Sequence, residues 1–348
     1  MPQLGCASHS YVVRDRSGGR VSAAGVLTDV EWHRVLDDVS TARVSVAGGL
    51  DCCGDLSAIR TWRHTLELHR GNQFVWAGPI TQIEWTREGV TIDAVDIIGL
   101  LDRRVPHQNF TFTGTDLNDI ARELIEDGFA PDDPGHNVSI IGPANVTGGR
   151  QYARGVGQVG DHLRDLADAG IDFTAVGNNI VLLPETFCAV VGRLSDVDMP
   201  SGLVIAEDGT ALATKWYVGG QSVAVLGEAG GSDAYYGLLE RYIEQTTITD
   251  TASATEAAES KLRASSTAPV FIDTQQVTLS PTAPVAVEQL VPGWCIDITS
   301  SETCRRITQR LKIVGVDVRE TGGNGSSAGQ EEVQVQVAAS GSESTAVI

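Results

Sequence analysis

Residues 61–105, TWRHTLELHRGNQFVWAGPITQIEWTREGVTIDAVDIIGLLDRRV, decide the fold of this chain. Apolar side chains recur two residues apart in three runs, which is the period of half-buried strands. Between the runs lie Gly71-Asn72 and Glu88-Gly89, where glycine or asparagine can take the positive φ that short hairpins require. The stretch therefore predicts a three-stranded meander. The polar residues between its apolar ones are scattered like those of a solvated or partner-facing surface.

The β pattern continues on both sides of this meander. Residues 10–14 and 21–46 contain extended segments, which gives five or six strands by residue 96 and is enough to close a small barrel or sandwich. Strands return after about residue 200, with one helix among them. Residues 306–337 have the same plan as residues 76–95, a strand, a turn and a second strand, so we suspect two similar barrels.

The period changes after residue 106. Thr115 can cap a helix whose apolar face runs to Asp127, with Gly128 in the position that ends helices. A second predicted helix spans residues 159–169. A hairpin around residues 177–179 follows, so this part of the chain indicates a small α/β unit.

Together these patterns predict a mainly β protein with an α+β insert, in which two β-barrel domains flank a small α/β domain. The predicted first β-barrel domain covers residues 1–105 and the α/β insert domain covers residues 106–200. The second β-barrel domain, which holds one helix, covers residues 201–339. Residues 340–348 are predicted to be a flexible tail.

Composition restricts the kinds of partner. The 348 residues carry 45 acidic and 25 basic side chains, a net charge of −20 that repels phosphate backbones. This charge argues against a protein that grips DNA or RNA, although it suits a wall past which nucleic acid slides. The sequence has no apolar run of the roughly 18 to 20 residues that span a bilayer and no signal peptide, so we expect folding in the cytosol and no membrane insertion.

The six cysteines form no CxxC pair. In a cytosolic chain we expect free, mostly buried thiols. A bridge between Cys295 and Cys304 across a predicted hairpin is the alternative. The cysteines are Cys6, Cys52, Cys53, Cys188, Cys295 and Cys304.

Residues 155–160, GVGQVG, match the dinucleotide-binding fingerprint. The fingerprint also needs a buried strand directly before it and an acidic residue at the end of the next strand. Neither is present, so we interpret these residues as a glycine-rich loop that enters a helix. We predict no bound cofactor.

The spacing of cysteines and histidines around residues 52–69 faintly resembles a zinc site. On a strand, however, His64 and His69 are an odd number of residues apart and point to opposite faces. Adjacent Cys52 and Cys53 also rarely ligate one metal together. We predict no metal site.

Carboxylates cluster in three predicted turns, none with a flanking apolar wall that would raise a pKa. We interpret them as solvated caps and turns, with weak calcium binding at residues 132–135 as the alternative, and we predict no catalytic residues and no enzyme activity. The clusters are Asp37-Asp38, Asp132-Asp133 and Asp196 with Asp198.

The six tryptophans could form a carbohydrate-binding platform, or they could occupy positions in the core or at subunit contacts. All of them lie in or beside strand patterns, so we favour the second interpretation. They are Trp32, Trp62, Trp76, Trp85, Trp216 and Trp294.

Several segments resemble the minor tail proteins that form the baseplate hub of long-tailed bacteriophages, particularly phages of actinobacteria. They are WHRVLDDVSTARVSV at 32–46, LELHRG at 66–71, VWAGPI at 75–80 and AVDIIGLLDRR at 94–104. Residues 257–262, 271–284 and 290–293 resemble the second half of the family's proteins.

The resemblance implies a structural virion protein at the tail tip, assembled in the host cytoplasm. It implies tube-like β-barrels, a homotrimeric ring whose channel continues the tail tube, and DNA that meets the protein only in passage. The implied partners are the adjacent distal tail protein ring, the tape measure protein and other minor tail or receptor-binding proteins. A host cell-wall binding or glycan-degrading tail module is the alternative.

Overall fold

The computed structural model of the chain is mainly β with a small helical part, which confirms the predicted fold class. The cysteines at 6, 52 and 304 and the predicted tail at 340–348 lie outside the described residues. The described residues are 8–24, 27, 29–47, 53–199, 205–207, 209–265, 270–272, 277–280, 282–301, 307–321 and 330–339.

The elements alternate short strands with tight turns in the first part of the chain. They are β1 His9–Arg14, β2 Arg20–Ala24, β3 Asp29–Val35, β4 Thr41–Ala47, α1 Cys53–Leu56, β5 Thr65–Arg70, β6 Gln73–Trp85, β7 Gly89–Val95 and α2 Ile98–Leu101.

The middle part contains both helices and strands. Its elements are β8 Phe110–Asp116, α3 Leu117–Phe129, β9 Asn137–Ile140, β10 Thr147–Tyr152, α4 Val159–Ala167, β11 Ile171–Val176, β12 Asn179–Pro184 and β13 Val190–Ser195, followed by a 3-10 turn at Asp196–Asp198.

The last part is again mostly extended. Its elements are β14 Ile205–Glu207, β15 Lys215–Gly219, β16 Leu226–Gly230, β17 Glu240–Glu244, α5 Thr251–Ser265, β18 Val270–Ile272, β19 Val277–Thr278, a 3-10 turn at Val287–Gln289, β20 Cys295–Ser300, β21 Ile307–Thr321 and β22 Gln330–Ala339.

The predicted meander is confirmed as β5, β6 and β7, with Gly71 at a φ of 59° in the first turn. The long strand β6 changes partner along its length. Its first half pairs with β5 and its second half pairs with β7. The change occurs beside Gly78, where an added Cβ would lie 1.8 Å from the carbonyl oxygen of Val95. Only glycine permits the backbone of β6 to pass this close to the end of β7.

One large sheet joins the first and last parts of the chain. Its strand order is β13-β20-β21-β3-β4-β7-β6-β5-β1-β2, and β22 pairs with β21 and with β19. The long strand β21 makes the connection. β20 pairs with residues 307–312 of β21, β3 pairs with residues 315–321, and β22 pairs along the opposite edge.

Two hydrophobic cores lie within the described residues. The first contains apolar side chains from β1, β3–β7 and β20–β22, so both β regions share it. The second contains α3, α4, β11 and β12, together with residues from β15 and α5. Segments of the same core are therefore far apart in sequence. The domain boundaries at 105/106 and 200/201 stay predictions.

The start and end of α3 differ from the sequence prediction. Asp116, rather than Thr115, caps the helix, because its carboxylate accepts the backbone N–H of Asn118 at 2.9 Å. Gly128 lies inside the helix, which continues to Phe129. An added Cβ at Gly128 would lie 3.3 Å from Val159 Cγ2, so this glycine allows α3 and α4 to pack closely instead of ending the helix.

A buried ion pair links the two β regions inside the first core. Arg70 of β5 makes a bidentate contact with Glu331 of β22, with Nε–Oε1 at 2.6 Å and Nη2–Oε2 at 2.8 Å. The side chains are 2% and 0% exposed. Glu288 lies 3.6 Å from the same guanidinium. Each of these charges depends on the others, because an unpaired buried charge is costly.

A second buried chain of hydrogen bonds makes the same connection. Trp32 donates its indole N–H to Nε2 of His9 at 3.1 Å, so the ring proton of His9 is on Nδ1. Nδ1 and the backbone N–H of His9 both donate to Glu320 of β21, at 2.7 and 2.8 Å. Close by, Arg34 lies over the Trp32 ring and donates to the carbonyl oxygen of Leu290 at 3.1 Å. Burial lowers the pKa of Arg34 to about 10.

The two cores meet at a cluster of three carboxylates and one lysine. Lys312 of β21 contacts Asp172 of β11 at 2.5 Å and also donates to the carbonyl oxygen of Glu185. Asp37, in the turn after β3, accepts the backbone N–H of Phe173 at 2.7 Å. Burial raises the pKa of Asp172 to about 6. Burial and the nearby charge of Asp172 raise the pKa of Asp37 well above its usual value.

Cys188 and Cys295 form a disulfide, with their Cα atoms 5.0 Å apart. This finding corrects the expectation of free thiols at both positions, and it leaves Cys295 unavailable for a bridge to Cys304. β13 runs parallel to β20 and places Cys188 beside the first residue of β20. The two cysteines are 107 residues apart in sequence, so the pairing depends on a strand contact that the sequence pattern does not reveal.

We predict that Arg70→Met destabilises the protein by about 3–5 kcal/mol, because it removes the arginine that contacts the buried carboxylates of Glu331 and Glu288. Urea unfolding measures the loss. The matched control is Arg14→Met on the neighbouring strand β1. The side chains of Arg14 and Glu67 are 40% and 22% exposed, so the loss of their ion pair should destabilise the protein by less than about 1 kcal/mol. Equal losses for the two variants would contradict a special role of the buried pair.

A second prediction concerns Asp37, whose φ is 60°. In Asp37→Asn, asparagine tolerates this φ and keeps a side-chain oxygen that accepts the backbone N–H of Phe173. The change removes the negative charge that faces Asp172. Because the folded pKa is raised, ionising Asp37 costs stability. This cost is absent below the usual value of 3.8 and grows as the pH rises toward the folded pKa.

We therefore expect Asp37→Asn to be more stable than the wild type at about pH 8, by on the order of 1 kcal/mol, with the gain shrinking toward about pH 4. Urea unfolding at both pH values checks this. Glu123→Gln, which neutralises an exposed carboxylate on α3, controls for the change in net charge. A gain that does not depend on pH would count against the pKa argument.

Candidate functional surface

The large sheet has one face on the first core and one polar face. Along β3, β4 and β7 the buried and less buried residues alternate, as a half-buried sheet requires. Strand register places opposite charges side by side on the polar face: Arg43 faces Asp93 across β4 and β7, and Glu31 faces Arg319 across β3 and β21.

The cations of this face are held by carboxylates of adjacent strands. Arg43 contacts Asp93 at 2.6 Å, Arg319 contacts Glu31, and Arg310 of β21 contacts Asp297 of β20 at 2.8 Å. Such cross-strand pairs stabilise a sheet modestly. They also leave these arginines less available to an approaching phosphate.

His33 extends the same pattern. Its Nδ1 contacts Asp317 on β21, and its Nε2 lies 3.4 Å from Glu31. The hydrogen bond to Asp317 raises the pKa of His33. Gln336 donates to the other oxygen of Asp317 at 2.9 Å. A shallow cavity of about 320 Å³ lies over these groups and is lined by Glu31, His33, Asp317, Val318, Arg319, Glu332, Gln334 and Gln336.

The polar face is made mostly of charged and amide side chains that contact one another. Its described side chains include carboxylates, amides, hydroxyls, paired arginines and His33, which Asp317 and Glu31 hold. A surface of this kind lets a charged polymer pass without binding it tightly.

The glycine-rich loop at 155–160 has structural roles. The strand before it, β10, pairs only with β8 among the described strands and is not part of a parallel sheet. An added Cβ at Gly160 would lie 1.9 Å from Asp102 Oδ1, and Gly155 and Gly157 have positive φ. The glycines therefore allow the loop to turn and α4 to approach Asp102.

The histidines of the zinc-like pattern lie in different environments. His64 is buried before β5, where its Nδ1 accepts the backbone N–H of Arg60 at 3.1 Å, and burial lowers its pKa. His69 packs edge-on against Phe74, with the ring centroids 6.0 Å apart. Within the described ranges no group of three or more His, Cys, Asp or Glu side chains is arranged to hold a metal ion. Cys52 lies outside those ranges.

The acidic pairs divide into two groups. Asp133 and Asp198 accept hydrogen bonds within their own turns, from His136 and Ser195 respectively, as expected of caps. The hydrogen bond from His136 lowers the pKa of Asp133 to about 2. The expectation of no apolar wall is wrong for Asp37, because β11 packs against its turn and buries the carboxylate.

The tryptophans do not form one platform. Trp32 and Trp76 are buried in the first core and Trp216 lies in the second. Trp85 is 55% exposed. Trp62 lies under the guanidinium of Arg103. The sixth, Trp294, packs edge-on against Phe187 beside the disulfide.

The described helices include none that is both long and apolar enough to cross a membrane. No protein-family model matches the chain, and no curated protein matches its sequence.

Three solved structures of similar fold are tail proteins. The 43 kDa tail protein of prophage MuSo2 from Shewanella oneidensis has a TM-score of 0.64 at 12% identity, over 95% of this chain and 98% of that one. A tail protein from Neisseria meningitidis MC58 has a TM-score of 0.62 at 12% identity, with 94% and 96% covered.

Prophage tail protein gp18 from Listeria monocytogenes EGD-e has a TM-score of 0.58 at 13% identity, with 94% of both chains covered. At such identities a likeness establishes the fold alone. Over nearly its whole length, the chain has the fold of these phage tail proteins.

Proposed function

We propose that this chain is a structural protein of a bacteriophage tail tip, where three copies form a ring around a channel that continues the tail tube. The observation that carries this proposal is the extent of the fold likeness: three tail proteins match the chain almost from end to end. The proposed role needs no catalytic residue, cofactor or metal.

The polar face of the large sheet is the natural lining of such a channel. Its opposite face is buried in the first core, so the polar face is the side of this sheet that can meet a passing polymer. Its arginines are already paired, and the chain carries a net charge of −20. Both properties weaken adhesion of DNA.

The proposed ring has neighbours above and below it in the tail. We place the distal tail protein ring and the tape measure protein at its two ends, with other minor tail or receptor-binding proteins outside. Assembly occurs in the host cytoplasm and the mature protein resides in the virion tail tip. The dispersed tryptophans favour this structural role over a glycan-binding module, and a host among the actinobacteria is part of the proposal.

The proposed ring predicts a trimer. Native mass spectrometry of the purified chain should give three times the mass of one copy, and quantitative mass spectrometry of purified phage particles should give three copies per tail. Labelled antibodies should bind at the tip of the tail. Two or six copies per tail, or labelling along its length, would count against the trimeric tip ring.

The proposed lining predicts that additional cations on the polar face slow DNA release. Gln82→Lys with Gln334→Lys adds two such cations without removing an ion pair. We expect release from triggered particles, followed with a DNA-binding dye, to slow several-fold at low salt and to recover at high salt. Gln151→Lys, on an exposed position of β10, is the control for a cation added elsewhere on the surface. Unchanged release in the double variant would place the channel elsewhere.

A further inference from the structure

A cleft of about 510 Å³ separates the first β region from the middle part of the chain. The β1–β2 turn and the residues before β5 form one wall, and the end of α2 with the loop at 132–134 forms the other. Arginines are concentrated here although the whole chain is strongly acidic. They are Arg14, Arg16, Arg63, Arg103 and Arg104.

Three of these arginines already have carboxylate partners. Arg14 contacts Glu67 at 2.7 Å. Arg16 and Arg104 both contact Asp132, which thereby joins the two walls of the cleft, and the hydrogen bond from Arg16 lowers the pKa of Asp132. These pairs hold the cleft in shape.

Arg63 and Arg103 are different. Both are exposed, and neither makes an ion pair with any carboxylate in the described part of the chain. The guanidinium of Arg103 lies 4.3 Å from the ring centre of Trp62, a cation–π contact that orients it. The cleft therefore presents two cations that are free to bind carboxylates, with an aromatic ring beside them.

The backbone of Trp62 supports a binding role. Its φ is 59°, in the left-handed region that a bulky side chain rarely adopts. A hydrogen bond from its N–H to the carbonyl oxygen of Ile80, at 2.7 Å, holds this conformation. Strain of this kind persists at positions whose side chain is needed in a particular place. Here it places the indole ring on the wall of the cleft.

The three-stranded sheet β16-β15-β17 carries an acidic and aromatic surface, whose charge is opposite to that of the arginines in the cleft. Strand β17 is at its edge and pairs, among the described strands, only with β15. Glu240, Tyr242 and Glu244 share one face of β17, and all three are exposed, Tyr242 by 63%. Tyr235 and Leu238, just before the strand, are 87% and 52% exposed. An open strand edge beside exposed aromatic side chains is typical of an interaction surface.

We infer that the cleft of one copy binds the β17 edge of a second copy, an inference that rests on the proposed ring. The chemistry is complementary: two free arginines beside a tryptophan face two carboxylates on either side of a tyrosine. Glu240 and Glu244 are about 13 Å apart along an extended strand, which is far enough for them to pair with two separate arginines. Guanidinium and carboxylate groups form bidentate pairs, and the aromatic rings pack between them.

A second copy of this chain is the occupant that the charges favour. The cleft also carries Asp15 and Asp133, so its positive charge is confined to the arginines, which suits two single carboxylates better than a highly charged polyphosphate. The two surfaces belong to one chain and differ from each other, so the contact is head to tail. Contacts of this type close into a ring when the rotation between copies is suitable.

A charge swap tests the contact. Arg63→Glu with Arg103→Glu, and separately Glu240→Arg with Glu244→Arg, should each weaken assembly of the purified chain at least tenfold, measured by native mass spectrometry across a concentration series. The chain that carries all four changes should assemble again, because the charges are exchanged across the contact. Circular dichroism confirms that each variant is folded.

The control is Arg87→Glu with Arg154→Glu, which changes the net charge equally at exposed arginines outside the cleft. It should assemble as the wild type does. The inference is overturned if the cleft variant also assembles normally, if the fourfold variant fails to recover, or if the wild-type chain stays monomeric at every concentration.

Phage particles separate this inference from the proposed function. If the cleft variant forms normal trimers but is missing from tails, a different tail protein occupies the cleft, and the second-copy inference is wrong while the ring stands. If the wild-type chain is itself absent from tails, the proposed function is wrong.

Discussion

Backbone pairing between β3 and β21 is the interaction on which the rest of the structure depends. It joins strands nearly three hundred residues apart and turns two β regions into one sheet over one core. Without it, β3 and the second half of β21 would each expose an edge, which invites unwanted pairing. The buried Arg70–Glu331 and His9–Glu320 contacts form only when the two regions meet.

These buried polar contacts contribute to specificity as well as to stability. An apolar pair of similar shape would stabilise the core at least as well as a buried ion pair does. A slip of the strands, however, would separate the buried arginine from its carboxylate, and a buried charge without its partner costs free energy. In a β strand, a slip of one residue moves each side chain to the other face of the sheet. The buried charges thus disfavour register slips, which would disrupt the alternation of buried and exposed residues that creates the polar face.

Local structure was predictable from the sequence, and contacts between distant segments were not. The meander around Gly71 and the hairpin at 177–179 follow from residues that are adjacent in sequence, and both predictions are confirmed. The cap of α3 was misplaced by one residue because Thr115 and Asp116 are both suitable cap residues. Gly128 was misread because its reason is a neighbouring helix.

The charge pairs of the candidate surface could be predicted only from the register of the strands, which the sequence pattern does not reveal. Glu31 and Arg319 read as isolated surface charges until β3 and β21 are aligned. The unusual pKa of Asp37 likewise depends on β11, which the local sequence does not place beside it. The Cys188–Cys295 disulfide was missed for the same reason: its cysteines become neighbours only through the parallel pairing of β13 and β20.

The two uses of arginine in this chain would let one acidic protein act as both the proposed channel wall and the proposed ring component. On the polar face, carboxylates of adjacent strands neutralise Arg43, Arg310 and Arg319 before any ligand arrives, which weakens their attraction for phosphate. In the cleft, Arg63 and Arg103 keep their charge available, and the strained Trp62 fixes the geometry around them. Pairing within the sheet therefore gives a surface that polymers leave easily. Arginines without an ion-pair partner in their own chain give a surface that can bind carboxylates, and the proposed ring around moving DNA requires both kinds of surface on the same chain.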